Sequence, residues 1–296
     1  MTEIDLAAQA RITRHIAETI GARTAQVSAA VALLDEGATV PFIARYRKEV
    51  TGGLDDTQLR NLQELLIYGR ELEERRAAVI ASVEEQGKMT EELRQAFEAA
   101  DTKQRLEDLY LPYKPKRKTR AQAAVAAGLE PLADKLWKNP GLDPQAEAQA
   151  FVSADKGVAD TKAALDGARD ILAERFAENA DMLEMLRAWL WKHAFIVSSV
   201  DEAKKATPEA ANFRDYFDYS EALNEVASHR ALALFRGRQE GVLTLKMLLT
   251  EEEEALPVHP CQKLIADFLG WHDEGRAADQ WIASVIRWTW RVKCLT

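Results

Sequence analysis

A chain of 296 residues with 47% apolar and 29% charged residues can bury one large core or two smaller ones under a well-solvated surface. Its net charge of −9 argues against a protein that coats nucleic acid with its whole surface, so any polyanion site must be a local patch. Two cysteines, Cys261 and Cys294, are too few for a disulfide framework, and no apolar run is long enough for a membrane span.

The opening stretch, MTEIDLAAQARITRHI, is polar and amphipathic rather than a secretory leader, which leads us to expect a cytoplasmic protein. Ile4, Ala8, Ile12, Ile16 and Ile20 recur every four residues and predict a first helix, ended by Gly21. A second runs from Thr24 to Gly37 with Val27, Val31 and Leu34 inward. Pro41 then suits the first turn of a short helix, with Phe42, Ile43 and Tyr46 as its buried face and Arg45, Arg47 and Lys48 as its cations. Gly52 and Gly53 break it. Asp55 and Gln58 make a capping box for a helix of roughly 30 residues and about 45 Å, carrying Leu59, Leu62, Leu65, Leu66, Leu72, Val79, Ile80 and Val83.

The next helices, from Thr90 and from Thr102, lead to a loop in which Lys114, Lys116, Arg117, Lys118 and Arg120 are cations without an acid among them. Pro112 and Pro115 stiffen this loop, and Thr119 can cap the helix that follows. Two readings fit the five cations: a solvated loop, or a contact to phosphates. Asn139, Pro140, Gly141, Asp143 and Pro144 mark the clearest linker candidate. Beyond it the pattern is again helical, with strands expected at 194–200 and 242–248 that can pair as a ribbon. At the far end Trp281, Ile282, Val285, Ile286 and Trp288 form one helical stripe. Trp290 and Val292 fall off that stripe, so we expect this helix to continue and its second apolar face to pack against the region that follows or against the N-terminal helices.

Catalytic signatures are scarce. No Walker, Rossmann, GxSxG, HExxH or CxxC pattern occurs, so we expect no enzyme activity, no cofactor and no metal; His259 and Cys261 lack partners for a zinc site. Phe213, Tyr216 and Phe217 read better as a buried helix face than as base-stacking aromatics. His229, Arg230, Arg236 and Arg238 share one helix, packed through Leu232, Leu234 and Phe235; the helix dipole is reason enough for Arg236 and Arg238. Arg45 has Asp35 and Glu49 as ordinary ion-pair candidates.

Three long stretches carry a resemblance: VPFIARYRKEVTGGLDD at 40–56, LEDLYLPYKPKRKTRAQAAVAAGLEPLA at 106–133, and FRDYFDYSEALNEVASHRALALFRGRQEGVL at 213–243. In this order they resemble the Tex family, bacterial RNA-binding transcription accessory proteins. Members of that family continue into an RNase-H-like domain, helix-hairpin-helix motifs and a C-terminal OB-fold module. The resemblance therefore implies an N-terminal part with a helix-turn-helix-like subdomain.

The expected fold is mainly α, multi-helical, with at most one small β-ribbon. We expect residues 1–138 as an N-terminal helical region containing the basic loop. Residues 139–296 form a second helical region that leads toward the family's RNase-H-like domain. The expected role is a helical scaffold that adds nonspecific phosphate contacts to RNA or DNA through Lys114, Lys116, Arg117, Lys118 and Arg120, and through Arg45, Arg47 and Lys48. Partners in the transcription machinery fit the same resemblance, and a membrane partner does not. The alternative is a protein–protein module docking transcription or ribosome-associated partners without nucleic-acid binding of its own.

Overall fold

A computed structural model describes residues 6–115 and 119–295, and its chain is mainly helical with one small sheet. It divides into two compact units, Met1–Tyr113 and Lys114–Thr296. No helix among the described residues is long and apolar enough to cross a membrane.

The first unit holds α1 (Leu6–Ile20), α2 (Thr24–Asp35), α3 (Val40–Tyr46), α4 (Asp56–Glu85), α5 (Glu91–Ala99) and α6 (Lys103–Tyr110). The 30-residue α4 is its strut, and the capping box expected at its start is present: Gln58 N–H donates to Asp55 Oδ1 at 2.8 Å, and Asp55 N–H to Gln58 Oε1 at 3.1 Å. Its first half closes a core with α1, α2 and α3 around Ile16, Val27, Ile43, Leu59 and Leu62. Gly69 lets α1 lie close, since a Cβ there would sit 3.1 Å from the Ile12 side chain. Its second half closes another core with α5 and α6 around Val79, Val83, Phe97 and Leu106. Near the join sits a buried polar pair, Glu73 and Arg76.

The second unit holds α7 (Arg120–Ala126), α8 (Glu130–Lys138), α9 (Pro144–Ala148), α10 (Thr161–Ala177), α11 (Ala180–His193), β1 (Phe195–Val200), β2 (Asp218–Ala222), α12 (Ser228–Gln239), β3 (Leu243–Leu248), α13 (Glu251–Glu254), α14 (Pro260–Phe268) and α15 (Asp279–Trp288). Its main core gathers Leu132, Leu136, Leu172, Met182, Ile282 and Val285. Because α7 and α8 pack on α10, the Asn139–Asp143 break is a turn inside this unit, tied down by Ala278 N–H donating to Pro140 O at 2.9 Å.

The sheet is antiparallel in the order β2-β1-β3. The expected pairing of β1 with β3 is present, with Phe195 opposite Leu248. β2 is new. Residues Phe213, Tyr216 and Phe217 do not form a helix face; Glu209–Tyr216 is a 3₁₀ segment, and the chain then extends into β2. Phe213 is buried against the sheet all the same, with Ile196, Leu234 and Leu243. α12 reaches this small core through Leu234 and Gly237, where a Cβ would meet Leu243 Cδ1 at 2.6 Å. Leu232 and Phe235, expected to pack with them, are 72% and 55% exposed, because one short helix edge faces the sheet.

The end of the chain also departs from expectation. Trp290 is only 3% exposed and stacks on His259 with ring centroids 5.2 Å apart. After Trp288 the backbone widens into a π-helix, Thr289–Cys294, in which Leu295 N–H donates to Trp290 O at 2.9 Å. Trp290 follows the buried Ile282 and Ile286 at four-residue spacing, and that row carries it to the core side before the backbone widens. Val292 stays at the surface, 38% exposed.

Asp279, at the start of α15, is 1% exposed. Burial by itself pushes its carboxyl up. The Arg276 guanidinium, the Arg276 and Glu274 N–H groups and Trp271 Nε1–H outweigh that and hold it well below the usual carboxylate range. A carboxyl depressed in the folded state stabilises fully above its unfolded pKa of about 3.9 and loses that stabilisation as the pH falls below it. Asp279→Asn should therefore cost about 2 kcal/mol at pH 7 and a smaller amount at pH 3, measured by urea unfolding at both. An equal cost at both pH values would contradict the ionised assignment.

Candidate nucleic-acid interface

Two cationic segments are the expected phosphate contacts, and they belong to different units. The first is α3 with the turn after it. Pro41 lies in the first turn of this seven-residue helix, and Val40 and Ile43 are buried, at 5% and 0% exposure, with Ala44 half-buried beside them. Seven residues make less than two turns, too little to bury two further large side chains. Phe42 and Tyr46, expected in the core, are instead 40% and 61% exposed. Their ring centroids lie 5.4 Å apart, and Arg47 Cζ stands 5.3 Å from the Phe42 centroid. Arg47 Nη1 also donates to Tyr46 O at 3.0 Å. Gly52 and Gly53, at φ 63° and 93°, fold the chain back, and Gly53 N–H donates to Lys48 O at 2.9 Å. Arg45, Arg47 and Lys48 are all exposed. Asp35 is not the partner of Arg45, because Arg70 takes both Asp35 oxygens at 2.8 Å.

The second segment is the basic loop. Its approach is fixed on α4: Tyr110 Oη pairs with Ser82 Oγ at 2.9 Å, and Gln86 Nε2 donates to Tyr113 O at 2.9 Å. Its far side is fixed by Thr119, which caps α7 as expected. Thr119 Oγ1 accepts from Gln122 N–H at 3.1 Å and donates to Glu174 Oε1 at 3.1 Å. Lys293 Nζ donates to the other Glu174 oxygen at 3.0 Å. Lys114 and Arg120 flank the loop, both exposed. Arg120 opens α7, where a cation gains nothing from the helix dipole. Lys116, Arg117 and Lys118 lie outside the described residues.

Other candidates are engaged elsewhere. Arg230 Nε donates to Glu221 Oε2 at 3.0 Å, and hydrogen bonds from Tyr219 and Arg230 hold the Glu221 carboxyl below its ordinary range. Arg236 pairs with Glu240 at 2.8 Å, as its place in the last turn of α12 allows. His259 caps α14, its Nδ1 accepting from Cys261 N–H at 3.1 Å. Burial, the largest effect, pushes the Cys261 thiol up to about 12 and the Cys294 thiol up to about 11, so neither is poised as a thiolate. A cleft of ≈ 590 Å³ beside α3 is lined by Leu34, Pro41, Leu66 and Ile67, with Arg60 and Arg70 at its rim. Both arginines are paired, with Asp56 and Asp35, so the cleft offers apolar wall rather than free charge. The exposed aromatics of α3 are not evident from the sequence pattern; the shortness of the Pro41–Gly52 interval is the signal that could have revealed them.

Comparison with known proteins gives two family matches: Tex-like protein N-terminal domain over residues 10–84, and Tex central region-like over residues 139–296. The chain is 58% identical to protein YhgF of Escherichia coli over 95% of its own length and 36% of that protein. It is 56% identical to protein tex of Bordetella pertussis over 97% of its length and 37% of that protein. Against transcriptional accessory protein Tex of Neisseria gonorrhoeae it is 50% identical over 95% of its length and 36% of that protein. The chain thus spans little more than a third of the length of these relatives.

Proposed function

This chain belongs to the Tex family of transcription accessory proteins, and we propose that it acts there as a helical scaffold that adds sequence-independent phosphate contacts to RNA or DNA. The observation that carries this reading is the basic loop, five cations in the seven positions 114–120 of a chain whose net charge is −9. In the first unit Tyr113 O accepts from Gln86, and in the second Thr119 Oγ1 donates to Glu174. Arg45, Arg47 and Lys48 supply a second set. α2, the turn around Gly37 and α3 have the spacing of a helix-turn-helix, which supports a nucleic-acid role for that corner. We assign the chain no catalytic activity of its own; metal-dependent nuclease or nucleotide hydrolysis lost on mutating one of its carboxylates would overturn that.

A second reading, a protein-docking module, is favoured by the exposed Leu232 and Phe235 on α12. Salt titration separates the two. Affinity of the purified chain for two RNAs of unrelated sequence should fall along one common line in log K against log salt. No binding at about 50 mM salt would leave the docking reading.

A further inference from the structure

Resting on that reading, we propose that Phe42, Tyr46 and Arg47 form a stacking platform for bases of single-stranded nucleic acid, with Arg45 and Lys48 set against the flanking phosphates. The inward positions of α3 are filled by Val40 and Ile43, so the two rings have no core to enter and stand in solvent. They stand together, 5.4 Å apart, rather than scattered. Arg47 lies 5.3 Å over one face of Phe42 and is steadied by its bond to Tyr46 O; the two rings are tilted 46° to each other, so Tyr46, 61% exposed, is the ring most open to a base and Arg47 sets a cation beside it. Between Arg45 and Glu49 there are three cations and one acid, a local excess opposite in sign to the chain as a whole.

This combination of ring faces and phosphate-seeking cations suits a polyanion that carries its own aromatic rings. Single-stranded RNA or DNA has bases free to stack on a side chain, whereas those of a duplex are already stacked on both faces. Scale points the same way. α3 has seven residues and is about 10 Å long, room for a base or two. A stable protein interface needs about 800 Å² from each partner, more than two rings provide.

The test compares a twelve-nucleotide uridine strand, a twelve-nucleotide thymidine strand and a twelve-base-pair duplex, each bound to the whole chain across a salt series. Tyr46→Ala should weaken both single strands by about 5- to 150-fold and leave the duplex and the salt slopes unchanged. Tyr46→Trp should restore the single-strand affinity. The uridine and thymidine strands weakening together assigns the site to bases in general, and only one of them weakening assigns it to RNA or to DNA. No change in single-strand affinity, as for a platform that faces protein, would overturn the proposal; so would an equal loss for strand and duplex. Phe42→Ala/Tyr46→Ala provides a second variant, with thermal unfolding as the folding control. The underlying phosphate reading fails in a different way, through a salt slope near zero for every nucleic acid.

Discussion

Arg76→Ala should destabilise the first unit by about 3–5 kcal/mol, a larger loss than that expected for Asp279→Asn in the second. Arg76 is 4% exposed and Glu73 is 8% exposed. The guanidinium gives Nε to Glu73 Oε2 at 3.2 Å, Nη1 to Glu98 O at 3.0 Å and to Phe97 O, and Nη2 to Ala100 O at 2.9 Å. It thereby closes the C-terminal end of α5 through Phe97 O and Glu98 O, and through Ala100 O just beyond it, where a helix end leaves carbonyls short of partners. Arg11 holds the other side of Glu73 at 2.7 Å and 3.1 Å. Truncating Arg76 takes a donor from the Phe97, Glu98 and Ala100 carbonyls and leaves a buried carboxylate with Arg11 as its remaining arginine partner. Arg76→Lys should recover little, because one ammonium cannot reproduce the planar fork. Arg76→Met combined with Glu73→Leu should recover more, since an apolar pair leaves no stranded charge. Urea unfolding of the four proteins measures this, and a loss below about 1 kcal/mol for Arg76→Ala would show that water replaces the arginine freely.

Features written in local spacing are legible in the sequence. α4, its Asp55–Gln58 capping box and the Thr119 cap each depend on residues within four positions of one another. β1 and β3 show as apolar, β-branched or alternating runs. Features set by distant partners are not legible. The Arg76 site is closed by carbonyls 21 to 24 residues away. β2, with Asp218, Ser220 and Glu221, has too polar a composition to read as a strand; it forms because β1 offers an edge, while Tyr219 and Glu221 meet Arg230 from α12. Trp290 belongs to the row Ile282, Ile286, Trp290, and a stripe centred on Trp281 and Trp288 passes over it. For the candidate interface, the cations are visible as residue types, and so is the Thr119 cap. The exposure of Phe42 and Tyr46 is not, since it depends on how many side chains α3 can turn inward.

The central claim, that this scaffold touches phosphates through its basic loop, is tested most directly by the salt dependence of a single variant. Lys116→Ala, Arg117→Ala and Lys118→Ala are made together in the whole chain, and log K for RNA is followed against log salt. Each lost phosphate contact should reduce the slope by about 0.7 for a single strand and about 0.9 for a duplex, so the triple variant should flatten it by about two to three units. The loss in affinity should be the same for RNAs of unrelated sequence, because phosphate contacts carry no sequence information. Tyr46→Ala, read beside it, should leave the slope where it was. A slope unchanged in the triple variant would contradict the account and return the loop to solvent.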